Sequence, residues 1–133
     1  MNVTFFDRDN TANVLNGTTI HDDNQLFQIL TPQNAPNRSP YFCELIGENG
    51  FCLLVGVGEV GCAQYSRCDG NMPYLIAVSD EKGSHGGCHE FLIEGVPKPV
   101  RARFCISFDS VLEIARYFCE TGGTYPAILW EQI

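Results

Sequence analysis

The sequence has no apolar run approaching the ~20 residues that a bilayer-spanning helix requires, so no membrane partner is expected. Basic side chains are scarce: 8 Lys and Arg stand against 16 Asp and Glu, a net charge of −8. Proteins that grip nucleic acid draw most of their affinity from a basic footprint on phosphates. Here cations gather only at Lys98, Arg101 and Arg103, and direct DNA or RNA binding is not expected. Catalytic signatures are missing as well. There is no His-x-Glu followed by Pro-Cys-x-x-Cys, as a zinc deaminase would need, and no Gly-x-Ser-x-Gly, His-Glu-x-x-His or P-loop. No Cys-x-x-Cys pair occurs among the seven cysteines, and their odd number argues against a disulfide framework. The opening Met1-Asn-Val-Thr-Phe-Phe-Asp7 lacks the basic and apolar regions of a signal peptide. A cytoplasmic protein with reduced thiols serving as small buried hydrophobes is therefore expected. In that compartment the Asn-x-Ser/Thr triplets headed by Asn2, Asn16 and Asn37 have no role.

What is present suits one globular domain over 1–133. The chain has 133 residues, 44% of them hydrophobic, enough for a core and too many for a disordered polymer. Val3 to Phe6 reads as a strand, and Thr18 or Thr19 as the cap of a helix over roughly 21–30. Leu26, Ile29 and Leu30 would form that helix's inward face. Three prolines make Thr31 to Pro40 a loop. Strands follow at Tyr41 to Ile46 and Phe51 to Val57, joined by the hairpin signal Asn49-Gly50. Val60 to Tyr65 and Tyr74 to Val78 continue the meander around Asp69-Gly70-Asn71. Glu90 to Ile93 and Val100 to Ile106 are expected to pair around a turn at Pro97 and Pro99. A helix from about Phe108 to Thr121 has Ser107 as N-cap, Gly122-Gly123 as C-cap and Val111, Leu112, Ala115, Phe118 and Cys119 as its apolar stripe. Tyr125 to Trp130 closes the chain as a strand. The fold class is α+β, mainly an antiparallel sheet meander packed with two helices.

Two local constellations invite chemical readings. Gly56-Val-Gly58-Glu-Val-Gly61 follows a strand and precedes an acidic residue, Glu81, by twenty positions, the spacing of a dinucleotide fingerprint. That motif must open a helix, whereas Cys62 to Gly70 is short and ends in turn residues. A glycine-softened hairpin is the simpler reading, with a small dinucleotide-binding or redox domain as the alternative. His85-Gly-Gly-Cys88-His89 holds metal-capable side chains, but no second ligand pair accompanies them. No metal, cofactor or catalytic residue is assigned. Arg101 and Arg103 share one face of a predicted strand and read as solvated charges.

Several segments, taken in order, resemble a known family. They are Val3-Thr-Phe-Phe-Asp-Arg-Asp9, Leu53-Leu-Val-Gly-Val-Gly58, Pro73-Tyr-Leu-Ile-Ala-Val-Ser79, Glu90-Phe91, and Thr121-Gly-Gly-Thr-Tyr-Pro126 with Leu129-Trp-Glu131. The chain resembles the first-numbered immunity-protein family of bacterial polymorphic toxin systems, which includes proteins paired with deaminase toxins. The resemblance implies no enzyme. It implies an antitoxin that binds a basic, nucleic-acid-acting cognate toxin, a deaminase or nuclease, and occludes its active site. Charge and expected exposure then nominate Glu48, Glu59, Tyr65, Asp69, Asp80 and Glu81 as toxin-binding residues.

Overall fold

The computed structural model describes residues 1–31, 38–79 and 86–133. Ten strands form one sheet: β1 Val3–Asp7, β2 Thr18–Ile20, β3 Tyr41–Gly47, β4 Phe51–Val57, β5 Val60–Arg67, β6 Tyr74–Val78, β7 Cys88–Ile93, β8 Val96–Arg101, β9 Ile106–Ser107 and β10 Leu129–Gln132. Two helices, α1 Asp23–Leu30 and α2 Phe108–Thr121, pack against it. The main path runs β10-β6-β5-β4-β3-β1-β2, with antiparallel neighbours throughout. The β7–β8 hairpin joins β3 through a parallel contact of Leu92 with Tyr41.

Side-chain alternation sorts the sheet into two faces. Phe5, Cys43, Leu45, Leu53, Val55, Ala63 and Ala77 point toward the helices and join Leu26, Leu30, Val111, Ile114 and Phe118 in the main core. On the other face Phe42 and Cys62 meet Phe91 from β7 and the buried Cys105 in a second, smaller cluster. One α+β layer pair thus carries an extra hairpin over part of its outer side.

Helix α2 forms where capping and periodicity agree. Ser107 accepts a hydrogen bond from the Ser110 N–H at 3.2 Å, Asp109 sits in the positive first turn, and Gly122 closes the helix in a left-handed conformation at φ +75°. The hairpin expected at Asn49-Gly50 is also present, with Gly50 at φ +86°.

Several expectations need correction. Thr18 and Thr19 do not cap α1; they pair with Phe5 and Thr4 as β2, and Asp22 caps the helix by accepting from the Gln25 N–H at 2.8 Å. An extended residue already bonded to a neighbouring strand is not free to turn into a helix. The turn between β7 and β8 falls at Glu94-Gly95, both at positive φ, and not at the prolines. Pro97 and Pro99 lie within β8, which among the described residues pairs only with β7, and an edge strand tolerates their missing N–H groups. Val100 to Ile106 is not one strand: a 3-10 turn at Ala102–Phe104 interrupts it, so Arg101 and Arg103 do not share a strand face. The last strand begins at Leu129 instead of Tyr125. Finally, the cysteines are not all reduced thiols: Cys52 and Cys68 form a disulfide, their Cα atoms 5.5 Å apart. Sequence spacing could not reveal it, because the pair meets only once the β3–β4 and β5–β6 turns lie side by side, where the Cys68 N–H donates to the Gly50 carbonyl at 2.8 Å.

Candidate functional site

The glycine motif occupies the end of β4, a tight turn and the start of β5, so no helix N-terminus follows it. Its glycines serve close packing. A Cβ on Gly56 would stand 2.6 Å from the Cys62 sulfur and 2.7 Å from the Phe91 ring. On Gly61 it would stand 2.6 Å from the Gly56 carbonyl and 2.7 Å from a Val111 methyl. This geometry overturns the dinucleotide alternative: pyrophosphate binding needs backbone N–H groups aimed outward from a helix start. Cys88 and His89 are exposed on β7 and, with Cys105, line a cavity of about 500 Å³. His85 lies outside the described residues. Among the described residues no three metal-capable side chains cluster.

The nominated contact residues within the described chain do not converge. Glu48 and Asp69 are exposed on the β3–β4 and β5–β6 turns, at one end of the sheet. Glu48 accepts from the Asn2 N–H at 2.9 Å, and Asp69 is held by Arg67 at 2.8 Å. That guanidinium holds the Asp69 carboxyl down at about 2. Glu59 is exposed in the β4–β5 turn, at the opposite end. Asp80 and Glu81 lie outside the described residues. Tyr65 is not at the surface. It is buried, stacked on Phe51 at 5.0 Å, and its hydroxyl donates to the Gly122 carbonyl at 2.9 Å. Its position in an inward-facing register explains this, since the neighbouring strand positions Leu53 and Leu75 point the same way.

Charge is distributed in a way the sequence alone did not disclose. Arg8 pairs with Glu44, Arg38 with Asp7 and Asp9, Arg67 with Asp69, Arg103 with Glu131, and Arg116 with Glu113 and Glu120. The chain's own acids engage these cations. The acids left over give the outward field its sign, which is negative.

The outer face of the sheet holds a second feature that sequence reading missed. The β7–β8 hairpin covers its lower part, where Phe91 lies 5.3 Å from Phe42. Above the hairpin the strand register aligns Phe6, Glu44, Leu54, Gln64, Ile76 and Glu131 in one row across six strands. A second row runs Thr4, Ile46, Cys52, Ser66 and Tyr74. Only the cross-strand register exposes such rows; the signal in the sequence was apolar residues at both parities of β3 and β4.

No curated protein matches the chain. A family model described as Immunity protein Imm1 matches residues 13–132, nearly its whole length. With an α+β sheet in place and the nucleotide motif reduced to a packed hairpin, that match has no structural rival: the chain belongs to the Imm1 family of immunity proteins, which inhibit toxins and catalyse nothing themselves.

Proposed function

We propose that this immunity protein binds a basic toxin domain that acts on nucleic acid, a deaminase or a nuclease, and occludes its active site. Family membership carries the reading, since it supplies a toxin as the partner. The charge supports the choice of toxin. An enzyme that handles nucleic acid needs a basic groove, and an acidic protein with most of its arginines already engaged meets such a groove with little repulsion. Glu48, Glu59 and Asp69, with Asp80 and Glu81, are the acids proposed to guide the encounter. Tyr65 is withdrawn from that set because it belongs to the core. The proposed place of action is the cytoplasm of the toxin-producing cell.

The test is co-expression. Cells producing the neighbouring toxin domain should survive with this chain and die without it. Purified chain should suppress the toxin's turnover in proportion to complex formed. Equal killing in both cases, or turnover of a substrate by the chain itself, would refute the proposal.

A further inference from the structure

We infer that the uncovered part of the outer sheet face, above the β7–β8 hairpin, is the seat on which the toxin domain docks. This inference rests on the antitoxin reading and sharpens it from a charge to a surface. An antiparallel sheet that faces water normally turns polar residues outward. Here the outward positions include Phe6, Ile46 and Leu54, all half-buried, and Leu129, 64% exposed, while Ile76 between them is buried. The helix side contrasts with this: the outer surface of α2 carries Glu113, Arg116 and Glu120 in mutual ion pairs, an ordinary solvated face.

The chain itself shows what this surface accepts. Its lower part receives the apolar hairpin, with Phe91 seated over Gly56 and against Phe42. The same face continues upward across six strands, partly covered where Leu54 packs on the hairpin cluster and where the 3-10 turn Ala102–Phe104 lies along β6, and otherwise open among the described residues. Strand spacing makes it roughly 24 Å wide. That suits the apolar centre of a standard interface of about 800 Å² per partner, whose rim would include the Glu48 and Asp69 turns at the upper end.

Charge selects the occupant. The face's cations, Arg8 and Arg103, are each held by a carboxylate of the same face, Glu44 and Glu131. A phosphate backbone therefore finds no unengaged cation on it among the described residues, which disfavours nucleic acid. A protein with an apolar patch fits the rows between the two pairs. Flanking lysines or arginines on that protein would meet the acidic rim at Glu48. A basic toxin domain has that chemistry.

The probe is the catalytically inactivated toxin domain encoded beside this chain, titrated against the full-length protein. Ile46→Arg and Gln64→Arg place bulk and positive charge in the two rows. Each should weaken binding at least 100-fold, while Glu120→Lys on α2 and the conservative Ile46→Val should bind within threefold of wild type. Circular dichroism and melting temperature verify that each variant is folded. On the unaltered protein, methyl NMR should show complex-induced shifts at Ile46, Leu54 and Leu129. Wild-type affinity in both arginine variants, or shifts confined to α1 and α2, overturns the docking surface and leaves the antitoxin reading standing. Absence of any binding by the unaltered protein overturns that reading, and the surface falls with it.

Discussion

Asp7 is the one charged residue buried among the described positions, only 2% exposed, and its carboxylate is fully engaged. It accepts from the N–H groups of Asp9 at 2.9 Å and Asn10 at 2.8 Å, from the Asn13 amide at 3.0 Å, and from Arg38, whose guanidinium lies 3.4 Å over the Tyr41 ring. Asp7→Ala would strand these donors and leave Arg38 without its main partner. A loss of about 3–5 kcal/mol in urea denaturation is expected, the usual result of removing one member of a buried pair. The thiols give a second prediction at this scale. Burial pushes Cys62 from its ordinary value of 9.0 up to about 12, and Cys43 upward as well. Below about pH 9 these thiols are protonated whether folded or not. Above it the unfolded chain releases protons that the folded one keeps, so stability falls as pH rises, by up to about 1.4 kcal/mol per pH unit for each thiol. Denaturation midpoints from pH 8 to 11 should show that slope, and Cys62→Ala should flatten it. The sequence revealed little of this. The expectation of an exposed Tyr65 failed, and the burial of Asp7 went unforeseen, for the same reason: burial depends on partners brought from distant positions, such as Gly122 and Arg38.

Secondary structure was far more legible than side-chain roles. Helix α2, the β3–β4 and β4–β5 hairpins and strand β6 carry their own signals: a Ser cap, an Asn-Gly turn, unbroken β-type runs. Short elements did not. Strand β2 has three residues and exists because Val3, Thr4 and Phe5 offer it an edge. Strand β8 contains two prolines that read as a turn until its edge position is known. For α2, Ser107→Ala removes the N-cap acceptor and should lower stability by about 1 kcal/mol, measured by thermal unfolding against wild type. The disulfide acts between elements. Cys52 and Cys68 close a loop of sequence separation 16 and hold the β5–β6 turn beside the β3–β4 turn. The double replacement Cys52→Ser/Cys68→Ser should reduce stability by roughly 3 kcal/mol on the chain-entropy estimate. In the reducing cytoplasm proposed as its place of action this bridge would be open, so the same variant is expected to retain toxin neutralisation in co-expressing cells.

At the scale of the whole molecule, a net charge of −8 with most arginines paired internally makes association a long-range electrostatic matter. Raising salt from about 0.05 to 0.5 M shortens the screening length severalfold. The association rate with the toxin domain should fall by ten-fold or more, while the dissociation rate changes much less. Stopped-flow mixing at several ionic strengths separates the two. The sign of the charge was legible in composition; that most arginines were spoken for, and that the sheet turned several apolar residues outward, needed the register.

The hairpin of β7 and β8 acts as a fence across that outward side of the sheet. Its height, set by where Leu92 meets Tyr41, fixes how far down a guest can slide and so which edge of the guest meets the Glu48 and Asp69 rim. Lengthening the hairpin by two residues would raise the fence by one residue per strand, about 3.4 Å, shrink the berth, and shut out a guest shaped for the present one. Relatives could thereby change clients by trimming a single peripheral ribbon, with the scaffold beneath left as it is.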